Sequence, residues 1–195
     1  MTAKKIWFPK GELKDGLTGA LEIACFLKQG VNRFQNTPEA AMRSFWILLA
    51  SYALNISAMI LIHDQFKEER PLPPVGMLIL YDAQRFMVVQ ALFILALYGL
   101  CKWWDRKSDF PRVLGGQNWL QVIPLAILSP LHLMVWAGWH DIEVAAMLEF
   151  PFLVYFVAMS AFFISRAAKI PVFVTAYLAI MAYMVDQISL MIMLN

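Results

Sequence analysis

The sequence predicts an all-α protein: a polytopic membrane helix bundle with five transmembrane helices and an N-terminal interfacial amphipathic helix. Apolar residues make up 61% of the 195 residues and charged residues only 15%. A soluble surface does not tolerate so large an apolar fraction. The apolar residues also gather into long runs separated by polar segments, as a bilayer requires of spanning helices.

The runs divide the chain into two regions. Residues 1–36 are predicted to form a cytoplasmic N-terminal segment, and residues 37–195 a five-helix transmembrane domain. The five spans are predicted at about 44–62, 83–104, 118–139, 142–166 and 171–194.

The N-terminal segment has a helical period over residues 12–29. Its apolar stripe consists of Leu13, Leu17, Leu21 and Ala24. Its polar stripe consists of Lys14, Thr18, Glu22 and Gln29. This segment is too polar to span a bilayer. We expect it to lie either on lipid at the cytoplasmic interface, with its apolar stripe buried, or on the helix bundle.

The first span follows a helix-start signal at Thr37, Pro38 and Glu39, whose side chains suit the first turn of a helix. A polar, proline-rich connection at 63–82 then separates the first two spans, because it cannot continue a helix. It leaves room for an interfacial stretch at 77–81. The second span ends in aromatic and basic residues at 102–107, which are typical of a membrane interface.

The last three spans are closely spaced. Pro124 and Pro130 predict a kink in the third, because each removes one helical hydrogen bond. Only His140 and Asp141 separate the third span from the fourth, so these two helices are predicted to form a tight antiparallel hairpin.

The orientation follows from the basic residues. With the N-terminus in the cytoplasm, thirteen lysines and arginines fall on the cytoplasmic side and three on the opposite side. The sequence therefore predicts a multi-pass protein of the bacterial inner membrane with its C-terminus on the opposite side. Cys25 and Cys101 then both lie on the reducing side, where no disulfide is expected.

The stretch from Arg33 to Trp46, RFQNTPEAAMRSFW, runs into the first span and resembles a segment of small bacterial five-span proteins similar to the YIP domain family. A polar cytoplasmic N-terminus before five closely spaced helices is also similar to that family. The resemblance implies a fold. Eukaryotic members of the family are linked with vesicle trafficking and small GTPases, and no motif in this chain transfers that partner.

The spans carry one strong polar residue each, at a similar depth of roughly 10 to 12 Å below the outer helix ends. We call these five residues the outer polar layer: Asn55, Gln90, His132, Glu149 and Asp186. The cytoplasmic halves of the spans look almost wholly apolar. An intramembrane carboxylate must pair or bind a proton, and Arg85 and His132 are the available cationic partners.

Two interpretations of the outer polar layer stay open. Its side chains either form a small outward-facing cavity for a proton, a cation or a polar ligand, or they hydrogen-bond one another and fix helix packing. An intramembrane enzyme would need His132 within hydrogen-bond reach of an acid and an open substrate path.

No catalytic or cofactor motif accompanies this layer. His140, Asp141 and Glu143 match no metal-binding spacing, so no metal site is predicted, and neither is a cofactor. Partners are expected to be the lipid bilayer and other membrane protein subunits or a second copy, and no nucleic acid. We therefore expect a non-enzymatic accessory or scaffold subunit. The alternative is a small transporter or channel that uses the outer polar layer.

Overall fold

All the secondary structure is helical over the residues that the structure, a computed structural model, describes: 8–67, 74–139 and 142–194. The α-helices are α1 Glu12–Ala24, α2 Pro38–Lys67, α3 Val75–Trp103, α4 Phe110–Leu120, α5 Val122–Trp136, α6 Ile142–Ala168 and α7 Val172–Leu194. Short 3-10 helices at Lys28–Arg33 and Lys107–Asp109 precede α2 and α4. The predicted all-α class is confirmed.

Four helical stretches among these residues are long and apolar enough to cross a membrane: Val75–Trp103, Lys107–Trp136, Met147–Ala168 and Val172–Ser189. They correspond to the second to fifth predicted spans. Large apolar side chains such as Leu95 and Phe150 are exposed on them, as contact with lipid rather than water would favour. α2 contains the predicted first span but is not among the four, so the count of five stays a prediction.

The helix boundaries differ from the predicted ones at three places, and at the first of them α2 continues to Lys67, five residues into the connection that was predicted at 63–82. α2 begins at Pro38 as predicted, and the Thr37 hydroxyl accepts a hydrogen bond from the Ala40 amide. α3 begins at Val75, well before the predicted start at 83, because the Pro74 carbonyl accepts the amides of Met77 and Leu78 and so opens the helix there. The third span likewise starts earlier than predicted, since α4 begins at Phe110.

The predicted kink in the third span falls at Gln121, between α4 and α5. Pro124 has no N–H to offer the carbonyl one turn earlier, which loosens the ladder at that point. The bond from the Leu125 amide to the Gln121 carbonyl is correspondingly long, at 3.4 Å. Pro130 lies inside α5, which continues through it.

The buried core gathers at one end of the bundle, which we call the α1 end, and the opposite end is the far end. The helices pack there in pairs, α2 on α4, α4 on α6 and α6 on α7, with α1 lying across α4 and α6. The largest fully buried apolar side chains of the described residues are Phe163, Ile23, Leu97, Ile164 and Ile170. The far end carries the outer polar layer instead.

α1 packs on the bundle with a face other than its predicted apolar stripe. The face buried against the bundle consists of Glu12, Gly16, Gly19, Ala20 and Ile23. The predicted apolar stripe points away from the bundle, and Leu13, Leu17 and Leu21 are 39 to 62% exposed. α1 therefore packs on protein with its small residues and leaves its leucines uncovered.

Gly116 is expected to be intolerant of a side chain, because a Cβ there would overlap the ring of Phe163, which is fully buried. Gly116→Ala should lower the free energy of unfolding by about 1 to 3 kcal/mol through overpacking. Gly99→Ala is the matched control, since a Cβ on that exposed helical glycine meets nothing within 4 Å. Denaturant titration in detergent, followed by circular dichroism, checks this. Equal stability of the two variants would contradict the packing.

Candidate functional site

Arg85 joins two helices at the far end through two carboxylates. Its Nη2 lies 2.5 Å from Oδ1 of Asp82, one turn earlier on α3, and its Nε lies 3.1 Å from the same oxygen. Its Nη1 donates to Oδ1 of Asp186 on α7. All three side chains are mostly buried. We call Asp82, Arg85 and Asp186 the Arg85 triad.

The helices bring these residues together in a simple way. Asp82 and Arg85 are three residues apart and so share one face of α3. That face packs on α7, where Asp186 lies near the end of the helix. One cation thus faces two anions, with Asp82 roughly 10 Å and Arg85 roughly 15 Å below the far end of α3. The triad carries a net charge of −1 when all three groups are ionised.

His132 and Glu149 form a second contact between helices. Nε2 of His132 on α5 lies 2.8 Å from Oε1 of Glu149 on α6. A neutral imidazole with its proton on Nε2, or an imidazolium, donates to the carboxylate here. The side chains are 25% and 41% exposed, so this pair is less enclosed than the Arg85 triad.

Two tyrosines border these ionic groups. The ring of Tyr52 on α2 stacks on Phe86 with centroids 4.1 Å apart, and its buried hydroxyl lies beside Asp82 without a well-formed hydrogen bond. Tyr183 on α7 lies close enough to Asp186 and Glu149 for both charges to act on it.

The remaining two members of the outer polar layer take no part in these contacts. Asn55 is exposed and Gln90 is half-buried, and neither side chain forms a hydrogen bond in the described ranges. The sequence reasoning also missed Asp82, because it placed the start of the second span at residue 83. The spacing of Asp82 and Arg85, i and i+3, was the signal that could have found it.

The half of the spans that was expected to be cytoplasmic corresponds to the α1 end, and it is not almost wholly apolar. At the α1 end, Nδ2 of Asn118 donates to the Ser44 hydroxyl over 2.9 Å, and Nε2 of Gln117 donates to the Ser160 hydroxyl over 2.9 Å. Thr175 donates to the Ala161 carbonyl over 2.8 Å. Hydrogen bonds between helices allow short polar side chains to be buried there, and hydropathy alone does not reveal them.

The ionic contacts at the far end join neighbouring helices, α3 to α7 and α5 to α6. Asp82, Asp186 and Glu149 each contact a cationic or cationisable side chain. The described part of the chain holds no group of three or more His, Cys, Asp or Glu residues that could bind a metal. The hairpin tip at His140 and Asp141 lies outside the described residues. Comparison with protein-family models, curated proteins and solved structures finds no match.

Proposed function

We propose that this protein is a non-enzymatic integral membrane protein of five spans, an accessory or scaffold subunit that packs with other membrane components. One observation carries the proposal: Asp186 and Glu149 are each paired with a side chain of another helix. A structural layer needs its acids paired, because an unpaired carboxylate within a membrane is costly. The pairing of these two acids supports a structural role.

The proposed topology places the α1 end in the cytoplasm, with α2 as the first span. The thirteen-to-three distribution of basic residues supports this orientation. The same charge distribution supports a location in the bacterial inner membrane. The resemblance of residues 33–46 to small bacterial five-span proteins similar to the YIP domain family supports it as well. The C-terminus then lies on the opposite side.

A groove between α3 and α7 is the surface that we propose for a partner's transmembrane helix. It holds about 110 Å³ and is lined by Val89, Leu92, Phe93, Ala96, Leu178, Met181, Ala182 and Val185. Every one of these side chains is apolar. Ala96 and Ala182 let another backbone approach closely, which is how helices associate within lipid.

Co-purification tests this proposal. The full chain, isolated from its native membrane in mild detergent, is expected to bring a stoichiometric membrane protein with it, identified by mass spectrometry. Ala96→Trp fills the groove and should release that protein. Val154→Trp is the matched control, because Val154 is exposed on a different helix, α6. A chain that purifies alone, or equal retention by both variants, would count against the subunit proposal.

The second candidate, a small transporter or channel, has one observation in its favour. The Arg85 triad and the His132–Glu149 pair together contain three acids against one arginine and one histidine, and the Glu149 side chain is 41% exposed. An excess of acid favours a proton or a cation. Vesicles that contain the purified protein and a pH-sensitive dye would respond to an imposed potential if this candidate holds, and would stay silent if the layer is structural.

A further inference from the structure

The segment formed by α1 and the 3-10 helix Lys28–Arg33 reaches far along α6. The hydroxyl of Tyr155 donates to the Ala24 carbonyl over 2.6 Å, at the end of α1. Tyr155 precedes Arg166, near the end of α6, by about three turns, or roughly 16 Å along the helix axis. The end of α1 therefore lies well inside the length of α6 rather than beyond it.

Phe26 fixes this position. It follows α1 with φ of 57°, a left-handed conformation that is unfavourable for a residue with a Cβ. Its ring packs edge-on against Tyr155 and Phe162, with centroids 5.9 and 5.4 Å away. These contacts compensate for the backbone cost, so the turn is held against α6 at this level.

The stretch of α6 that the turn contacts belongs to a candidate span. Met147–Ala168 is apolar enough to cross a membrane, and it includes both Tyr155 and Phe162. Val154, the neighbour of Tyr155, is 56% exposed and would face lipid. In the proposed topology this stretch is surrounded by lipid. A segment that packs on it is therefore surrounded by lipid as well.

The uncovered surface of the segment is suited to acyl chains. Leu13, Leu17, Leu21, Phe26 and Leu27 are all 39 to 62% exposed. In water such a continuous apolar stripe would be unfavourable, whereas in lipid it costs nothing.

The charged residues of the segment are compatible with a lipid environment. Glu22 accepts two hydrogen bonds from Arg33, at 2.9 and 3.2 Å, so the acid nearest the turn is neutralised. Lys28 and Gln29 are exposed, and the apolar stem of Lys28 can lie along acyl chains with its ammonium directed toward the headgroups. Lys10 and Lys14, exposed near the start of α1, suit anionic headgroups.

We propose that α1 and the following 3-10 helix form a re-entrant segment that is inserted into the cytoplasmic leaflet, with the leucine stripe and Phe26 against acyl chains and its lysines at anionic headgroups. The segment enters at Glu12, which pairs with Arg43 near the start of α2, and turns at Cys25 and Phe26. This inference rests on the proposed membrane topology, which the test below checks separately.

The test uses the native cysteines. Cys25 is exposed and Cys101 is buried, so a nitroxide spin label attaches at Cys25 of the full chain. The labelled protein is placed in vesicles of phosphatidylcholine and phosphatidylglycerol. Collisions of the label with oxygen, which concentrates in lipid, are compared with collisions with a water-soluble nickel chelate. Oxygen collisions are expected to exceed nickel collisions several-fold.

Reference labels on a Cys25→Ser background make each outcome decisive. A label at Val154→Cys reports the lipid-facing surface of α6, and a label at Lys107→Cys reports the cytoplasm. A label at Leu21→Cys reports the leucine stripe directly, in case the label at Cys25 disturbs the turn. Agreement of Cys25 and Leu21 with Val154 supports insertion. Agreement with Lys107, while Val154 stays protected from nickel, overturns the inference alone. Nickel access at Val154 overturns the proposed topology and the inference together.

Discussion

Arg85→Met is expected to lower the free energy of unfolding by about 3 kcal/mol, the cost of breaking a buried ion pair by removing one partner. Methionine keeps the apolar length of the side chain and removes the guanidinium. Asp82 and Asp186 would then face each other between α3 and α7 without a cation. Denaturant titration in detergent, followed by circular dichroism, measures the loss.

The control removes all three charges. The triple variant Asp82→Asn, Arg85→Met, Asp186→Asn should recover most of the lost stability, because a buried ionic group replaced as a whole by neutral residues is often tolerated. Arg85→Lys should fall between the wild type and Arg85→Met, since it keeps the charge but cannot reach both carboxylates with a planar fork. A single variant as stable as the wild type would mean that the carboxylates need no cation.

Glu12→Gln is expected to lower the free energy of unfolding by about 3 kcal/mol for the same reason. Both oxygens of Glu12 accept from Arg43, at 2.7 to 3.1 Å, and the two side chains are only 6% and 16% exposed. The neutral amide would leave the guanidinium buried without a counter-ion. α1 should therefore loosen from α2 and α4, and exposure of Trp119, which covers Gly16, should shift its fluorescence.

Asp15→Asn provides the matched control on the same helix. Asp15 is 51% exposed and lies 4.0 Å from Arg33, so the loss of its charge should cost at most about 1 kcal/mol. Equal effects of the two substitutions would show that burial of the Glu12–Arg43 pair contributes nothing to the docking of α1.

Much of the helical architecture could be predicted from the sequence, because the hydropathy pattern extends over many residues and so indicates where each helix lies. The proline at 38 and the threonine before it located the start of α2, and Pro124 located the kink to within one turn. The start of α3 was missed because a proline-rich stretch was taken to exclude the helix until residue 83. Pro74 instead lies at the N-cap of α3, just before the first turn, where its missing N–H costs no helical hydrogen bond.

The candidate site could be predicted only in part. The polar residues of the outer layer were visible as exceptions within apolar runs, but their pairing depends on which helices are neighbours. Nothing local in the sequence makes α3 pack on α7 and so brings Arg85 to Asp186. Asn55 and Gln90 lie at a similar depth and still contact no ionic group. The sequence indicates how deep a residue lies along its helix, but its neighbours also depend on how the helix is rotated about its own axis.

The hydrogen bond between Tyr155 and the Ala24 carbonyl also determines how late the N-terminal segment can reach its final position during synthesis. Its partners are 131 residues apart in the chain. At a synthesis rate of 5 to 20 residues per second, Tyr155 is made roughly 7 to 26 s after Ala24. The N-terminal segment, although it is translated before α6, must wait through the synthesis of four helices before its final contact exists. During that interval the face of α1 that the finished fold buries, which includes Ala20 and Ile23, has no complete bundle to pack on.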